Sequence, residues 1–504
     1  MRYPSKMKTV QWLTASVLIS GLVLGGCSSD KSGSEPSPAG TAAASAPAAS
    51  AAGEAKELVE KGASLKVWGS KSVLDKPAQE FEKKFGIKVE VEEVGLKDNE
   101  LRQFMLSKVA AKQTADISVL DLGGDGYNQF YDKKVFLSYN DWIERDGLKN
   151  WPWAQKDIFQ YLPYNGQIYY LPTGSVVYGL WYNVELAKKY GIYDQIPKSF
   201  DDPSYKNWTW NNYAELLKKA TVDTNGDGKT DIYGTDDNFG WGRTDWAASV
   251  GVYTDLIENG RMMAPGINFV KPEAIEALQF MSDLALVHKV APHPDVDVKA
   301  DGINIENEKV VIRRMGSWAF DYFDAKANPE REKAGKKPIE YAFTMYPHKE
   351  GMEDQFRVHG FTGQGPKIFA ATPYPKAAWE FVKFLHSPEY ESANYDLSSV
   401  GTLPSFTDNA ALAKLKQQVG EINAQIMIEL GEHLIKEGSL PVQQPPQEML
   451  KQYPAGQKPL EKLNAQIPDL RKGKLNYKDI IPPLFEQQYN DYKEAWTKYD
   501  AASK

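Results

Sequence analysis

The chain has 504 residues, 42% hydrophobic and 25% charged, and carries a formal net charge of −8. So mild an acidic excess, with no Lys/Arg block, argues against a nucleic-acid partner, and the ordinary apolar share argues for a globular body. The length suggests two or three lobes rather than one core, and the lone cysteine, Cys27, leaves no disulfide to form.

The first thirty residues read as an export signal. Arg2, Lys6 and Lys8 form a positive n-region, and Val10 to Leu24 is mostly apolar, broken by Gln11, Thr14, Ser16 and Ser20. That run suits a signal h-region and is short for a spanning helix, which needs about 20 apolar residues. Leu24-Gly25-Gly26-Cys27 then resembles a bacterial lipobox, in which small residues flank the scissile bond and the cysteine receives the lipid. The expectation is a signal peptide at 1–26 and a mature chain anchored through a lipid, palmitate among its acyl groups, on Cys27 at the extracytoplasmic face of the cell membrane. The alternative is a plain secretory peptide with an incidental cysteine. Residues 27–56 are rich in Ser, Ala and Pro and read as a flexible tether.

The folded part is expected from about Glu57 to Lys504, and its first stretch alternates strands and helices. Leu65 and Val67 lead into the turn Trp68-Gly69, and Leu74, Ala78, Phe81 and Phe85 recur at helical spacing before Gly86. Ile87, Val89 and Val91 alternate as a strand, Leu101, Phe104, Met105 and Val109 give a second helix, and residues 115–121 a third strand. Such a βαβαβ run implies a parallel sheet, with ligand sites beyond the carboxyl ends of its strands. Val176 to Asn183 is a further strand, Glu185 to Tyr190 a helix capped by Asn183, and Pro272 and Pro375 each open a helix. From Ala411 the chain is mainly helical, interrupted by a Pro/Gln-rich loop at Pro441 to Pro446.

Asp223-Thr224-Asn225-Gly226-Asp227-Gly228-Lys229-Thr230-Asp231 places oxygen side chains at positions 1, 3, 5 and 9 and glycine at 6. Ca²⁺ takes six to eight oxygens, and alternate residues of a tight loop can turn theirs inward. Asp223, Asn225, Asp227, the Lys229 carbonyl and Asp231 are the expected ligands of a structural Ca²⁺. Position 12 is Gly234 rather than a bidentate Glu, and a metal-free Asx-rich turn is the other reading.

Other motifs are absent. No G-x-x-x-x-G-K-[ST] loop, no G-x-S-x-G elbow and no H-E-x-x-H occurs, and His288 and His293 lack helical metal-ligand spacing. The chain is expected to be no enzyme. A carboxylate pair for glycoside hydrolysis cannot be picked out among so many acids.

Several motifs in one order resemble the family 1 extracellular solute-binding proteins of ABC importers, the group of maltose-binding protein. They are Tyr169-Tyr170-Leu171-Pro172 with Tyr178-Gly179-Leu180-Trp181-Tyr182-Asn183; Trp208-Thr209-Trp210-Asn211-Asn212-Tyr213; Met315-Gly316-Ser317-Trp318-Ala319; Ala377 to Leu385; and Gly401-Thr402-Leu403-Pro404. The resemblance implies an α/β, two-lobed, periplasmic-binding-protein-like fold of type II, with discontinuous lobes joined by a hinge and extra C-terminal helices. Lobe one is expected at 62–173 plus 358–402, and lobe two at 174–357 plus 403–504.

It also implies capture of a solute, expected to be an oligosaccharide, between the lobes by a monomer that delivers it to membrane permease subunits. Sugar rings have apolar faces and polar rims, so flat aromatic side chains with carboxylates and guanidinium groups suit them. Trp68, Trp181, Trp241, Trp318 and Phe361, beside glycines or at strand ends, are the expected platforms, with Asp121 and Arg243 as polar partners. About half of the tryptophans should instead be core, Trp379 among them. A secreted carbohydrate-active enzyme or a surface adhesin is the alternative function.

Overall fold

The structure is a computed structural model that describes residues 59–502, apart from 97, 123–126, 155–157, 165, 237–238, 259–260, 398–400, 408 and 435–458. Cys27, the signal and tether segments, and the loop Pro441 to Pro446 lie outside the described residues.

The expected alternation builds a parallel sheet. β1 (Ser64–Gly69) pairs in parallel with β2 (Lys88–Glu93) and β3 (Ile117–Ser118), with Leu65 beside Val89 and Val67 beside Val91 and Ile117. Helix Lys71–Phe85 buries Leu74, Ala78 and Phe81 against it and stops at Gly86, whose φ of 71° is the left-handed turn expected there. The third strand is shorter than the 115–121 expected. The Asp116 carboxylate, rather than a backbone carbonyl, accepts the Lys66 amide at 2.7 Å and so replaces part of the ladder.

A second sheet is organised around β4 (Pro172–Asn183). β5 (Tyr233–Thr235), the hairpin of β6 (Leu256–Glu258) and β7 (Arg261–Ala264), β8 (Val310–Gly316), β9 (Tyr341–Thr344), β10 (Gly360–Gln364) and β11 (Lys367–Ile368) follow in chain order. β10 and β9 pair with the first and last parts of β4, while β8 pairs with its middle and β5 joins β8. β11 returns to the first sheet and runs antiparallel to β3. Thus β10 and β11, two residues apart, belong to different sheets.

Each sheet has its own core. One cluster holds Leu65 to Leu171, Ile368 to Val382 and Phe406; the other holds Val177 to Val358, then Tyr395, Leu397, Leu403 and the later helices. The chain therefore crosses between lobes near 171–176, 364–367 and 382–395, and reaches back to the first core at Phe406, between Leu403 and Ala411. The middle crossover falls after β10, so residues 358–364, read from the sequence as lobe one, pair in lobe two. The crossovers touch: Gly365 N donates to Leu171 O at 3.2 Å and Leu403 N to Ser175 O at 2.8 Å. Gly174 has to lack a side chain, because a Cβ there would strike the carbonyl of Leu403.

The last helices pack on lobe two. Helix Tyr477–Ala502 places Phe485 against Phe269, the Tyr477 hydroxyl 2.6 Å from Ser282 Oγ, and the Trp496 indole N–H 2.7 Å from Met262 O.

Candidate functional site

Beside the crossovers, one face of the second sheet carries a row of rings and charges. β8 begins with buried Val310, Val311 and Ile312 and ends with partly buried Arg313, Arg314 and Met315 before Gly316. Its antiparallel register places Gly316 opposite Tyr178 and Arg314 opposite Leu180. On the other edge of β4, Tyr178 N donates to His359 O at 3.1 Å, and Phe361 lies opposite Val176. Tyr178 is flanked accordingly. The His359 ring stacks on it at 5.1 Å between centroids and 9° between planes, and the Arg314 guanidinium carbon lies 4.0 Å from its ring centre.

Asp245, on helix Phe239–Ala248, ties the two flanks together. Arg314 Nε donates to Asp245 Oδ2 at 2.5 Å, and His359 Nδ1 lies 2.8 Å from Oδ1. The Asp245 side chain is 1% exposed. Burial, the largest single influence, pulls the Arg314 pKa down, but the Asp245 charge and hydrogen bond, with Tyr346 and Tyr178, together hold it above its ordinary value.

Two aromatic residues next to this row face solvent: Trp318 is 40% exposed and Phe361 43%. Phe361 lies 6.3 Å from the Tyr178 ring. Ser317 N donates to Val177 O at 2.8 Å, which fixes the backbone that carries Trp318. The indole folds back over Gly316, where a Cβ would meet its Nε1 and Cδ1. Across the crossover, a Cβ on Gly401 would sit 3.9 Å from Trp318 Cβ. The pair is thus an open aromatic platform with hydrogen-bonding groups at its edge.

The structure separates the residues expected from sequence. Trp318, folded over Gly316 opposite Tyr178, and Phe361, 6.3 Å from the Tyr178 ring, both flank Tyr178. Trp68 and Trp181 do not join them, and their reading as platforms is corrected. Trp68 is 2% exposed, wedged edge-on between Phe104 and Phe369, with its N–H on Glu92 at 3.0 Å. Trp181 is fully buried against Phe323 and Phe343 and donates to Gly316 O at 3.0 Å, so it braces the platform from beneath. Strand alternation explains this, since Trp181 is an odd number of residues from Tyr178 and starts from the opposite face. Arg243 is half-buried on the helix of Asp245, and burial lowers its pKa. Trp241 belongs to the same helix; its side chain lies outside the described residues.

Asp121 is exposed just past β3, in lobe one. Its charge acts on Lys367, which is buried at the middle crossover. The Lys367 ammonium donates to Gly365 O at 3.1 Å and lies 3.9 Å from the centre of the Tyr127 ring and 4.8 Å from that of Tyr170. Burial pushes its pKa down to about 7, with Asp121 opposing.

Tyr178, Asp245, Arg314 and His359 escape a reading of the sequence as site residues. Their one signal is the end of β8, where two arginines follow three aliphatic residues and point to a partnered charge.

The loop 223–231 is closed by its own side chains. Asp223 Oδ1 accepts from Gly226 N at 2.7 Å and Oδ2 from Gly228 N at 2.8 Å, and Asp231 Oδ2 accepts from Thr224 N at 2.8 Å. Among the described residues no group of three His, Cys, Asp or Glu side chains is arranged to hold a metal ion.

The fold has many solved counterparts. An ABC substrate-binding protein from Listeria monocytogenes, in complex with cycloalternan, is 18% identical, with 87% of this chain and 99% of that one covered and a TM-score of 0.58. A cyclic α-maltosyl-1,6-maltose-binding protein from Arthrobacter globiformis is 16% identical over 86% and 99%, with a TM-score of 0.61. The sugar-binding protein MalE from Xanthomonas citri is 15% identical over 87% and 99%, with a TM-score of 0.59. At these identities the likeness establishes the two-lobed fold of periplasmic-binding-protein type. The family model for bacterial extracellular solute-binding proteins matches residues 68–392, well over half of the sequence, and the protein belongs to that family.

Proposed function

We propose that this protein captures an oligosaccharide between its lobes and delivers it to the permease of an ABC importer. The observation that carries the reading is the exposed pair Trp318 and Phe361 beside the crossovers, bordered by Tyr178. Sugar C–H faces pack on such rings while hydroxyls bond at their edges. A ligand that contacts both lobes favours a closed arrangement by its differential affinity for it. The relatives described above, named for binding sugars, support the same class.

The test is a panel of maltotriose, cellotriose, xylotriose and mannotriose, read by thermal shift and calorimetry, with the sugar recovered afterwards. Saturable binding with intact sugar is the expected result. Cleaved sugar would favour a carbohydrate-active enzyme instead, and binding by none would end the oligosaccharide reading.

Two further features belong to this proposal. Lipid on Cys27 would tether the protein at the extracytoplasmic membrane face; among the described residues no helix is long and apolar enough to cross a membrane. A Ca²⁺ held by Asp223, Asn225, Asp227, the Lys229 carbonyl and Asp231 would clamp the loop between helix Trp210–Lys219 and β5. The spacing of its oxygens supports that site.

A further inference from the structure

We infer that the solute is a chain longer than a trisaccharide, whose further units leave the aromatic platform and fill a second subsite in lobe two, the cavity bordered by Arg357, Lys271, Glu432 and His433. The inference rests on the oligosaccharide reading above and adds the length class and the place of the extra units.

The cavity has a volume of about 720 Å³, within the roughly 300–1,000 Å³ of pockets that enclose small molecules. One face of a strand joins it to the platform. In the segment that enters β10, Phe356, Val358 and Gly360 are buried, whereas Arg357 and Phe361 are exposed and His359 is half-buried. Alternate residues of an extended chain share a face, so Arg357, His359 and Phe361 form one row about 13 Å long. Phe361 stands on the platform at one end, and Arg357 borders the cavity at the other. The row is fixed by its neighbours: Arg357 N donates to Ala248 O at 3.0 Å, and Val358 N to His433 O at 2.9 Å. Leu434, another wall of the cavity, lies over Gly360, where a Cβ would meet its Cδ2. Burial raises the pKa of Asp255, and His359 is among the groups that oppose it, so the ring stacked on Tyr178 also acts on a wall of the cavity.

The walls suit a sugar chain. Leu256, Ile257 and Leu434 give apolar surface, and the polar groups around them have bonding capacity left. Arg357 donates through Nη1 to Asp354 O at 3.1 Å and Phe356 O at 2.7 Å, which leaves its other side-chain N–H groups open. His433 is held by its stack on Phe200, 4.0 Å between centroids, and by Nδ1, 2.9 Å from Glu429 O, so Nε2 has no partner among the described residues. The side chains of Lys271 and Glu432 have none there either. Open donors and an acceptor beside apolar surface match the hydroxyls and C–H faces of further sugar units. A trisaccharide on Trp318 and Phe361 leaves these groups to water. A longer chain engages them without displacing any of the bonds just given.

The experiment takes the panel sugar that binds tightest and measures its homologues, from disaccharide to hexasaccharide, by calorimetry. The proteins are the natural one, Lys271→Ala/Arg357→Ala and Lys271→Ala/Glu432→Ala. In the natural protein the hexasaccharide should bind about tenfold or more tighter than the trisaccharide. Lys271→Ala/Arg357→Ala should remove most of that gain and leave the trisaccharide affinity unchanged, a length-selective loss that a merely structural defect would not produce. Equal affinity for trisaccharide and hexasaccharide in the natural protein would overturn the inference. So would a folded variant that keeps the full gain, or one that loses affinity for both lengths alike. If Lys271→Ala/Arg357→Ala fails to fold, Lys271→Ala/Glu432→Ala decides by the same criterion. Binding of no homologue by the natural protein sinks the oligosaccharide reading itself, whereas trisaccharide binding with no gain from added units sinks this inference alone.

Discussion

The indole of Trp318 rests over the Cα of Gly316, two residues earlier in the chain, where any Cβ would strike Nε1 and come within 2.6 Å of Cδ1. The glycine therefore sets the angle of the platform ring. Gly316→Ala should displace the indole and weaken oligosaccharide binding by about ten- to a hundredfold, the worth of one stacked face. Calorimetry on folded Gly316→Ala checks this, and unchanged affinity would detach Trp318 from the site.

Trp318 and Trp181 should respond in opposite ways to truncation. Trp318→Ala removes an exposed ring and should lower affinity while stability stays near native. Trp181→Ala opens a cavity in the core of lobe two and should cost about 3–5 kcal/mol of unfolding free energy. Denaturant titration and calorimetry on both variants separate the two roles.

Lys367 predicts a pH dependence of stability. Its folded pKa is pushed down to about 7 from an ordinary 10.5, so between those values the unfolded chain binds more protons. Stability therefore rises with pH across that window, and the burial penalty is fully present below about 7. Lys367→Met removes the group. The variant's stability advantage over the natural protein should be largest near pH 6, on the order of a few kcal/mol, and shrink towards pH 10. A gap that does not vary over pH 6–10 would mean the ammonium is solvated.

Calcium is tested by its linkage to folding. A metal that binds only the folded state raises stability by mass action, so chelation of metal-loaded protein should lower Tm. Asp223→Ala/Asp227→Ala should lack that response. A natural protein indifferent to both chelator and added Ca²⁺ would leave the loop as the self-closed turn described above.

Lipidation depends on one atom, the Cys27 sulfur. Cys27→Ala should take up no labelled lipid in cells and should leave the membrane fraction; label on the variant would place the anchor elsewhere.

The sequence by itself determined what short-range periodicity can carry. Val67 and Val91 alternate to a buried face, Leu74, Ala78 and Phe81 repeat at helical spacing, and Pro272 and Pro375 open helices where they are found. Family membership was legible too, from the order of short aromatic motifs along the chain. Only the tertiary structure decided which tryptophans face solvent. Exposure depends on which strands flank a residue, and β4 has other strands along both edges, so Trp181 and Tyr178 look alike in the chain. The same holds for Asp245, Arg314 and His359, which lie far apart in sequence. They meet because β8 and β10 pair with opposite edges of β4, and helix Phe239–Ala248 brings Asp245 to the flanks of Tyr178. A charge network of that kind has no periodicity to read, since its members are chosen by distance in space, where Coulomb energy is set.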